Sequence, residues 1–331
     1  MEFTSLFQLN FITHMCLPQN HNGIYPYFNK MGYKIRAIES TIPLEDTSIE
    51  FLKTLNIQKK NVTPEMILSN TKNLLLLECK IGDFQKNYSL HASKQAAGYL
   101  SLKKKYMSEF LGYSSNSNID SSVVYMISNG DTSIVADTLN SIKTDLPHTN
   151  ENLDFEIFEI ALFDDGIYII EKDTDKKFKI LDNGVSNNPI IFYLFPFEPS
   201  GKIDSHGENV IKLQVKNKLR SLIGRQLYND SITVHVKEIS ENINQLGNLL
   251  NSQFRRKINW WISKNIINHL EDFKKICSRV SFTSNTLSIP NITDTERKKL
   301  ESYLVSSQFL THNFEEINSI QLSLNLPHTS N

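Results

Sequence analysis

The stretch Val62–Lys80 constrains this chain more than any other. Four leucines, Leu74–Leu77, run directly into Glu78-Cys79-Lys80, and a second apolar segment, Val62–Ser69, precedes them across Asn70-Thr71-Lys72-Asn73. An Asn-rich link between two apolar runs is turn chemistry, so the spacing predicts two adjacent antiparallel strands. Side chains alternate across a strand, which puts Glu78 and Lys80 on one face and Cys79 on the other. If the four-residue loop is symmetric, Ser69 pairs with Leu74, and counting outward sets Glu65 opposite Glu78.

Two carboxylates facing each other across a ladder repel, so something positive must sit between them. Two arrangements satisfy this: a salt-bridged sheet edge using Lys80, or a divalent cation held by oxygen ligands with Lys80 one pleat away. The acid-x-Lys pattern recurs at Asp175/Lys177, Asp272/Lys274 and Glu296/Lys298. Those three lie in polar or helical settings, without a Pro-acid dipeptide on a preceding strand.

Around this pair the pattern alternates between helix and strand. A helix is expected over 44–57, another over His91–Tyr106, and a buried strand over Val123–Ser128. Asp131 or Thr132 caps a helix running to about Lys143. Phe155–Phe163 and Ile167–Lys172 flank Asp164-Asp165-Gly166, a hairpin signal, and Ile190–Phe197 reads as a further strand. From about Glu208 helical spacing dominates, over 208–228, 253–276 and 293–307, with Thr293 and Glu296 forming a capping box. Leu326–Asn331 reads as a frayed tail. The expected division is 1–200 and 201–331.

Composition bounds the function classes. Hydrophobic residues are 40% and charged ones 21%, ordinary globular proportions that argue against wholesale disorder. With 35 Lys and Arg against 36 Asp and Glu, any nucleic-acid surface must concentrate its cations locally. Cys16, Cys79 and Cys277 are widely spaced, which fits a reducing compartment and gives no zinc framework. The start, Met1–Ser5, lacks the basic region of a secretory signal, and no apolar run is long enough to span a bilayer, so a cytoplasmic protein is expected.

This constellation resembles the PD-(D/E)XK nuclease superfamily, whose core carries an acid on one strand and acid-x-Lys on the next. Gln95-Ala96-Ala97-Gly98-Tyr99 is similar to the Q-x-x-x-Y motif of its RecB-type branch, with Gln95 and Tyr99 one helical turn apart. The likeness covers roughly residues 35–165. It departs from the pattern at Glu65, where the family has Asp. It implies an α/β fold: a restriction-endonuclease-like core with a mixed central sheet flanked by helices, followed here by a mainly helical C-terminal region. It further implies that Glu65, Glu78 and the Cys79 carbonyl bind Mg²⁺ or Mn²⁺. Lys80 would orient or help deprotonate the attacking water, Gln95 would hold that water or Lys80, and Tyr99 would touch the phosphate backbone. Tyr99 also fits a core aromatic, and Glu39 is either an extra acid or a solvated charge.

Two basic stretches are candidates for phosphate contacts. Lys212, Lys216, Lys218, Arg220 and Arg225 share one expected helix, and Arg255, Arg256 and Lys257 open another just before Trp260-Trp261. Solvated helix faces and buried tryptophans explain the same residues. Lys103-Lys104-Lys105 complements a helix dipole. The expectation is a metal-dependent nuclease acting on DNA, an endonuclease of a bacterial defence or restriction system, with a protein partner or a second copy of itself. A non-catalytic nucleic-acid-binding or assembly subunit and an RNA-directed nuclease are the alternatives.

Overall fold

The leucine strand lies inside a seven-stranded sheet. A computed structural model describes residues 5–18, 23–112, 119–147, 150–182, 205–243, 249–250 and 252–305. The chain divides into two compact units, Glu2–Ser186 and Asn187–Asn331. The expected strand Ile190–Phe197 and the tail Leu326–Asn331 lie outside the described residues.

In the first unit the elements run α1 (Ser5–Cys16), α2 (Tyr27–Lys30), β1 (Lys34–Ile38), β2 (Ile42–Pro43), α3 (Asp46–Thr54), β3 (Asn61–Val62), β4 (Met66–Ser69), β5 (Asn73–Ile81), α4 (His91–Leu100), α5 (Lys104–Phe110), β6 (Asp120–Ser128), α6 (Thr132–Asp145), β7 (Asp154–Phe163), β8 (Gly166–Glu171) and β9 (Lys176–Asp182). The sheet order is β1-β4-β5-β6-β7-β8-β9. The β5–β6 and β6–β7 pairs are parallel, and the other neighbours are antiparallel. Parallel neighbours need crossovers, and the helices after β5 and β6 supply them. Leu74 to Leu77 are buried on both faces of the sheet, as an inner strand with a parallel neighbour requires.

Local chemistry sets the register of the key hairpin. Asn70 Oδ1 accepts hydrogen bonds from the backbone N–H of Lys72 at 2.8 Å and of Asn73 at 2.7 Å. This Asx-type turn aligns Ser69 with Leu74 and Met66 with Leu77. One face of the sheet packs on α3, α4 and α6 through Ile67, Leu74, Leu76, Val123, Tyr125 and Ile127. On the neighbouring element α1, the Gln8 side chain donates to the Lys80 carbonyl at 3.1 Å and to Ser128 Oγ at 2.7 Å.

Two expected elements are interrupted. The segment Val62–Ser69 forms two strands, because Pro64 has no N–H to give a ladder; β3 pairs with β2, while β4 pairs with β1 and β5. The helix expected to reach Tyr106 ends at Leu100. The chain there turns extended so that Lys103 bridges Asn152, and Leu153 donates its N–H to the Leu102 carbonyl at 2.8 Å. Asp131 does cap α6, accepting from the Ser133 N–H.

The second unit runs α7 (Ser205–Gln226), β10 (Ile232–His235), α8 (Val236–Ile243), α9 (Ser252–Ile276), β11 (Ser281–Thr283), β12 (Thr286–Ile289) and α10 (Asp294–Val305). The three strands, absent from the sequence reading, form an antiparallel sheet of order β10-β12-β11. The capping box on α10 is formed: Glu296 accepts from the Thr293 N–H at 2.8 Å and donates its own N–H to Thr293 Oγ1 at 3.3 Å. Among the described residues no helix is long and apolar enough to cross a membrane.

Candidate active site

Three elements bring the polar groups together on the α4 face of the sheet. β5 carries Glu78 and Lys80, the residue preceding β4 is Glu65, and α4 carries Gln95 and Tyr99. The helix sits close because residue 98 is glycine. A Cβ there would lie 2.8 Å from Val62 Cγ1 and 3.3 Å from Lys59 Cδ. A side chain at this position would lift the turn that carries Gln95 and Tyr99.

The side chains close a ring. Lys80 Nζ donates to Glu78 Oε1 in a short ion pair and to Gln95 Oε1 at 3.3 Å. Gln95 Nε2 donates to the Tyr99 hydroxyl at 3.2 Å, and that hydroxyl donates to Glu78 Oε2 at 2.7 Å. Both oxygens of Glu78, which is 1% exposed, are thereby engaged. A buried carboxylate is tolerated only with this degree of pairing.

Glu65 completes the cluster from the neighbouring strand. Its Oε2 accepts the Cys79 N–H at 3.0 Å. Glu65 keeps some exposed surface, yet the surroundings of its carboxyl exclude water. Burial first, then the charge of Glu78, hold that carboxyl well above the usual range, against the opposing pull of Lys80. Burial alone would push the Lys80 ammonium down, but the charges of Glu78 and Glu65 outweigh it and keep it above its ordinary value. Lys80 is therefore an ammonium and has no lone pair with which to take a proton from water.

Tyr125 was not anticipated. It lies on β6 directly across from Glu78 in the parallel register. Its hydroxyl is buried and has no hydrogen-bond partner. Burial and the charges of Glu78 and Glu65 raise its pKa well above the ordinary value. An orphaned buried hydroxyl beside two carboxyls is an unmet hydrogen-bonding demand at the centre of the site. Lys59 and His91 also feel the cluster: burial lowers the pKa of each, and the charges of Lys80 and Glu78 act on both. No local pattern marks any of these three residues, because each reaches the site from a different element.

Other expectations need correction. Tyr99 is fully buried with its hydroxyl on Glu78, so it cannot touch a phosphate backbone; it positions the carboxylate. The Cys79 thiol is buried, on the pleat opposite Glu78 and Lys80. Among the described residues no three His, Cys, Asp or Glu side chains are gathered as a metal site. A cation here would draw on two carboxylates together with backbone or water oxygens. Glu39 adopts φ 52° and donates its N–H to the Glu65 carbonyl at 3.0 Å, so its backbone braces the strand that leads into Glu65.

In the second unit Lys212, Arg220 and Arg225 are exposed on α7 and Lys218 is half-buried. Lys216 is only 6% exposed and is not available to a phosphate; its charge acts on His269 of α9. On α9 Arg255 and Arg256 are exposed, and Trp260 is 57% exposed, so the tryptophan pair is not a buried one. Compared with family models, with curated proteins and with solved structures, the chain matches none of them.

Proposed function

We propose that the first unit is a metal-dependent nuclease of PD-(D/E)XK type that hydrolyses DNA phosphodiester bonds, acting as an endonuclease. The observation that carries this reading is the pairing of Glu65 with Glu78 beside Lys80, Gln95 and Tyr99 on one sheet face. The donor set suits a hard cation: the paired carboxyls of Glu65 and Glu78, to which the Cys79 carbonyl and the orphaned Tyr125 hydroxyl would add further oxygens. Mg²⁺ or Mn²⁺ in that place, when bound, supplies charge neutralisation and an acidified water.

The protein's own groups then have distinct tasks. Glu65 and Glu78 would hold the ion. Lys80 offers fixed positive charge next to the position where a phosphate accumulates negative charge during attack. Gln95 fixes the Lys80 ammonium through its amide oxygen, and Tyr99 fixes the orientation of Glu78.

The same closed ring satisfies Glu78 and Lys80 internally, and this favours the second reading, a nuclease-like fold without turnover. One assay separates the two. The full chain is incubated with supercoiled plasmid, linear duplex and RNA in Mg²⁺, Mn²⁺ or EDTA, with and without the products of neighbouring genes. Nicking and linearisation of the plasmid that EDTA abolishes is the expected result. Intact DNA under every divalent condition overturns the nuclease reading, and cleavage confined to RNA reassigns its substrate. The wider role we propose is defence or restriction in a bacterium, with a partner controlling an activity that would damage its host.

A further inference from the structure

The second unit follows a specific path: helix α7, strand β10, helices α8 and α9, then the hairpin β11–β12, with β10 returning to pair with β12. α7, α8 and α9 pack on one another, and both α7 and α8 pack on β10. This helix, strand, helix, helix, hairpin order, with the first strand beside the last, is the topology of a winged helix-turn-helix. We propose that residues 205–305 are such a module and bind duplex DNA, with α9 in the major groove and the β11–β12 hairpin against the flanking backbone. The choice of duplex DNA rests on the groove that admits a helix, and the nuclease reading of the first unit agrees with it.

Charge favours a polyanion here. Residues 205–305 hold 16 Lys and Arg against 9 Asp and Glu, whereas residues 2–186 hold 18 against 23. On α9 no acid occurs before Glu271, while Arg255, Arg256, Lys257 and Lys264 all precede it. Phe254, Ile258, Ile262, Ile266 and Phe273 are buried. Arg256, Trp260 and Lys264 follow at four-residue steps along an exposed line. Lys264 Nζ lies 5.4 Å from the Trp260 ring centre and 4.7 Å from that of Trp261, so the cation and the indoles form one surface. In a helix-turn-helix the residues in the N-terminal part of the second helix meet base edges, and that is where Arg255 and Arg256 stand.

The hairpin fits the second role. Its turn residues Ser284 and Asn285 both have positive φ, 49° and 60°, the signature of a tight two-residue turn. Ser281, Thr283, Ser284 and Asn285 are exposed and uncharged, and such hydroxyl and amide groups hydrogen-bond phosphates. Ser263 Oγ, which donates to the Asn259 carbonyl at 2.8 Å, also lies 3.2 Å from Asn285 Oδ1, so the tip of the hairpin touches the middle of α9. Helix and hairpin thus lie side by side on one surface. The deep, narrow major groove of duplex RNA excludes a helix, whereas that of B-DNA admits one, so duplex DNA is the occupant the shape selects.

The test uses the full-length chain in EDTA, so that binding is read without cleavage. Fluorescence anisotropy measures affinity for a labelled DNA duplex, the matching single strand and an RNA duplex, across a salt series. Duplex DNA should bind tightest. The triple variant Arg255→Ala/Arg256→Ala/Lys264→Ala should lose at least tenfold in affinity and flatten the log–log salt slope by roughly 0.9 for each lost phosphate contact. A double variant, Ser284→Gly/Asn285→Gly, keeps the turn and should weaken binding less. Equal affinity of the triple variant, preference for the single strand or for RNA, or no duplex binding by the parent chain each overturns the proposal. Wild-type cleavage of DNA alongside any of these leaves the nuclease reading standing. Duplex binding without any metal-dependent cleavage removes the nuclease reading and leaves the module.

Discussion

Both units carry clustered charge, but around Glu78 the first buries it and along α9 the second exposes it. Both carboxylate oxygens of Glu78 have a fixed partner, since a desolvated charge without one costs several kcal/mol. Fixed partners mean fixed geometry, which suits chemistry at one atom. On α9 the guanidinium groups of Arg255 and Arg256 stand in water. There each is screened and mobile, and contributes little to folding. Such groups suit the capture of a polymer whose many charges are met together. The contrast teaches where mutational effects should appear: in rate and stability for the first unit, in affinity and salt dependence for the second.

The largest expected effect breaks or upholds that contrast directly. Lys80→Ala should lower DNA cleavage by roughly 10²–10³, the usual loss when one donor to a developing charge is removed, with binding to duplex DNA in EDTA unchanged. Cleavage at the wild-type rate by folded Lys80→Ala protein removes Lys80 from the mechanism.

Next in size is the brace on Glu78. Tyr99→Phe deletes the hydroxyl that donates to a buried carboxylate, so urea unfolding should show a loss of roughly 1.5–3 kcal/mol. Cleavage should fall far less than for Lys80→Ala, because Tyr99 acts through Glu78. A larger loss of rate than of stability would instead place the hydroxyl against the substrate.

Tyr125→Phe sharpens the picture further. Its hydroxyl has no partner, so without metal the substitution should leave stability unchanged or raise it by about 1 kcal/mol. The rise in melting temperature on adding Mg²⁺ or Mn²⁺ should shrink in the variant if that hydroxyl meets the ion's water. A destabilised variant with an undiminished metal response would refute both statements.

The smallest effect belongs to the second unit. Burial, then the charge of Lys216, holds His269 on α9 below its ordinary value, against the pull of Asp272. The unfolded chain takes up this proton near pH 6.5 and the folded chain only at lower pH. The contribution to stability is therefore whole above about pH 6.5 and declines as pH falls through the window below it. Both tryptophans of the chain, Trp260 and Trp261, lie on α9, so their fluorescence follows unfolding of this unit. Urea midpoints should drop between pH 7.5 and 5.5, and less so in His269→Phe. Identical pH slopes in the two proteins would assign the proton elsewhere.

What could be read in advance was local. The register of β4 on β5 follows from one Asx turn at Asn70, and the starts of α6 and α10 follow from Asp131 and from the Thr293/Glu296 box. Helix α1 left no trace in the reading because Gln8, Asn10, Thr13 and His14 are buried among its apolar residues, which erases any one-sided pattern. The strands β10, β11 and β12 are three or four residues long and rich in Ser and Thr, too short for alternation to show.

That Glu78 and Lys80 share a face opposite Cys79 follows from residue order alone, because a pleat alternates whatever surrounds it. The same order puts Gln95 and Tyr99 on one helical face and opens α9 with cations and no acid. Long-range packing puts Tyr125 beside Glu78, turns Tyr99 inward to the carboxylate, buries Lys216 while leaving Trp260 exposed, and returns β10 to the β11–β12 hairpin. These depend on pairings between distant segments, whose free energy comes from burying surfaces that meet only after the chain has folded.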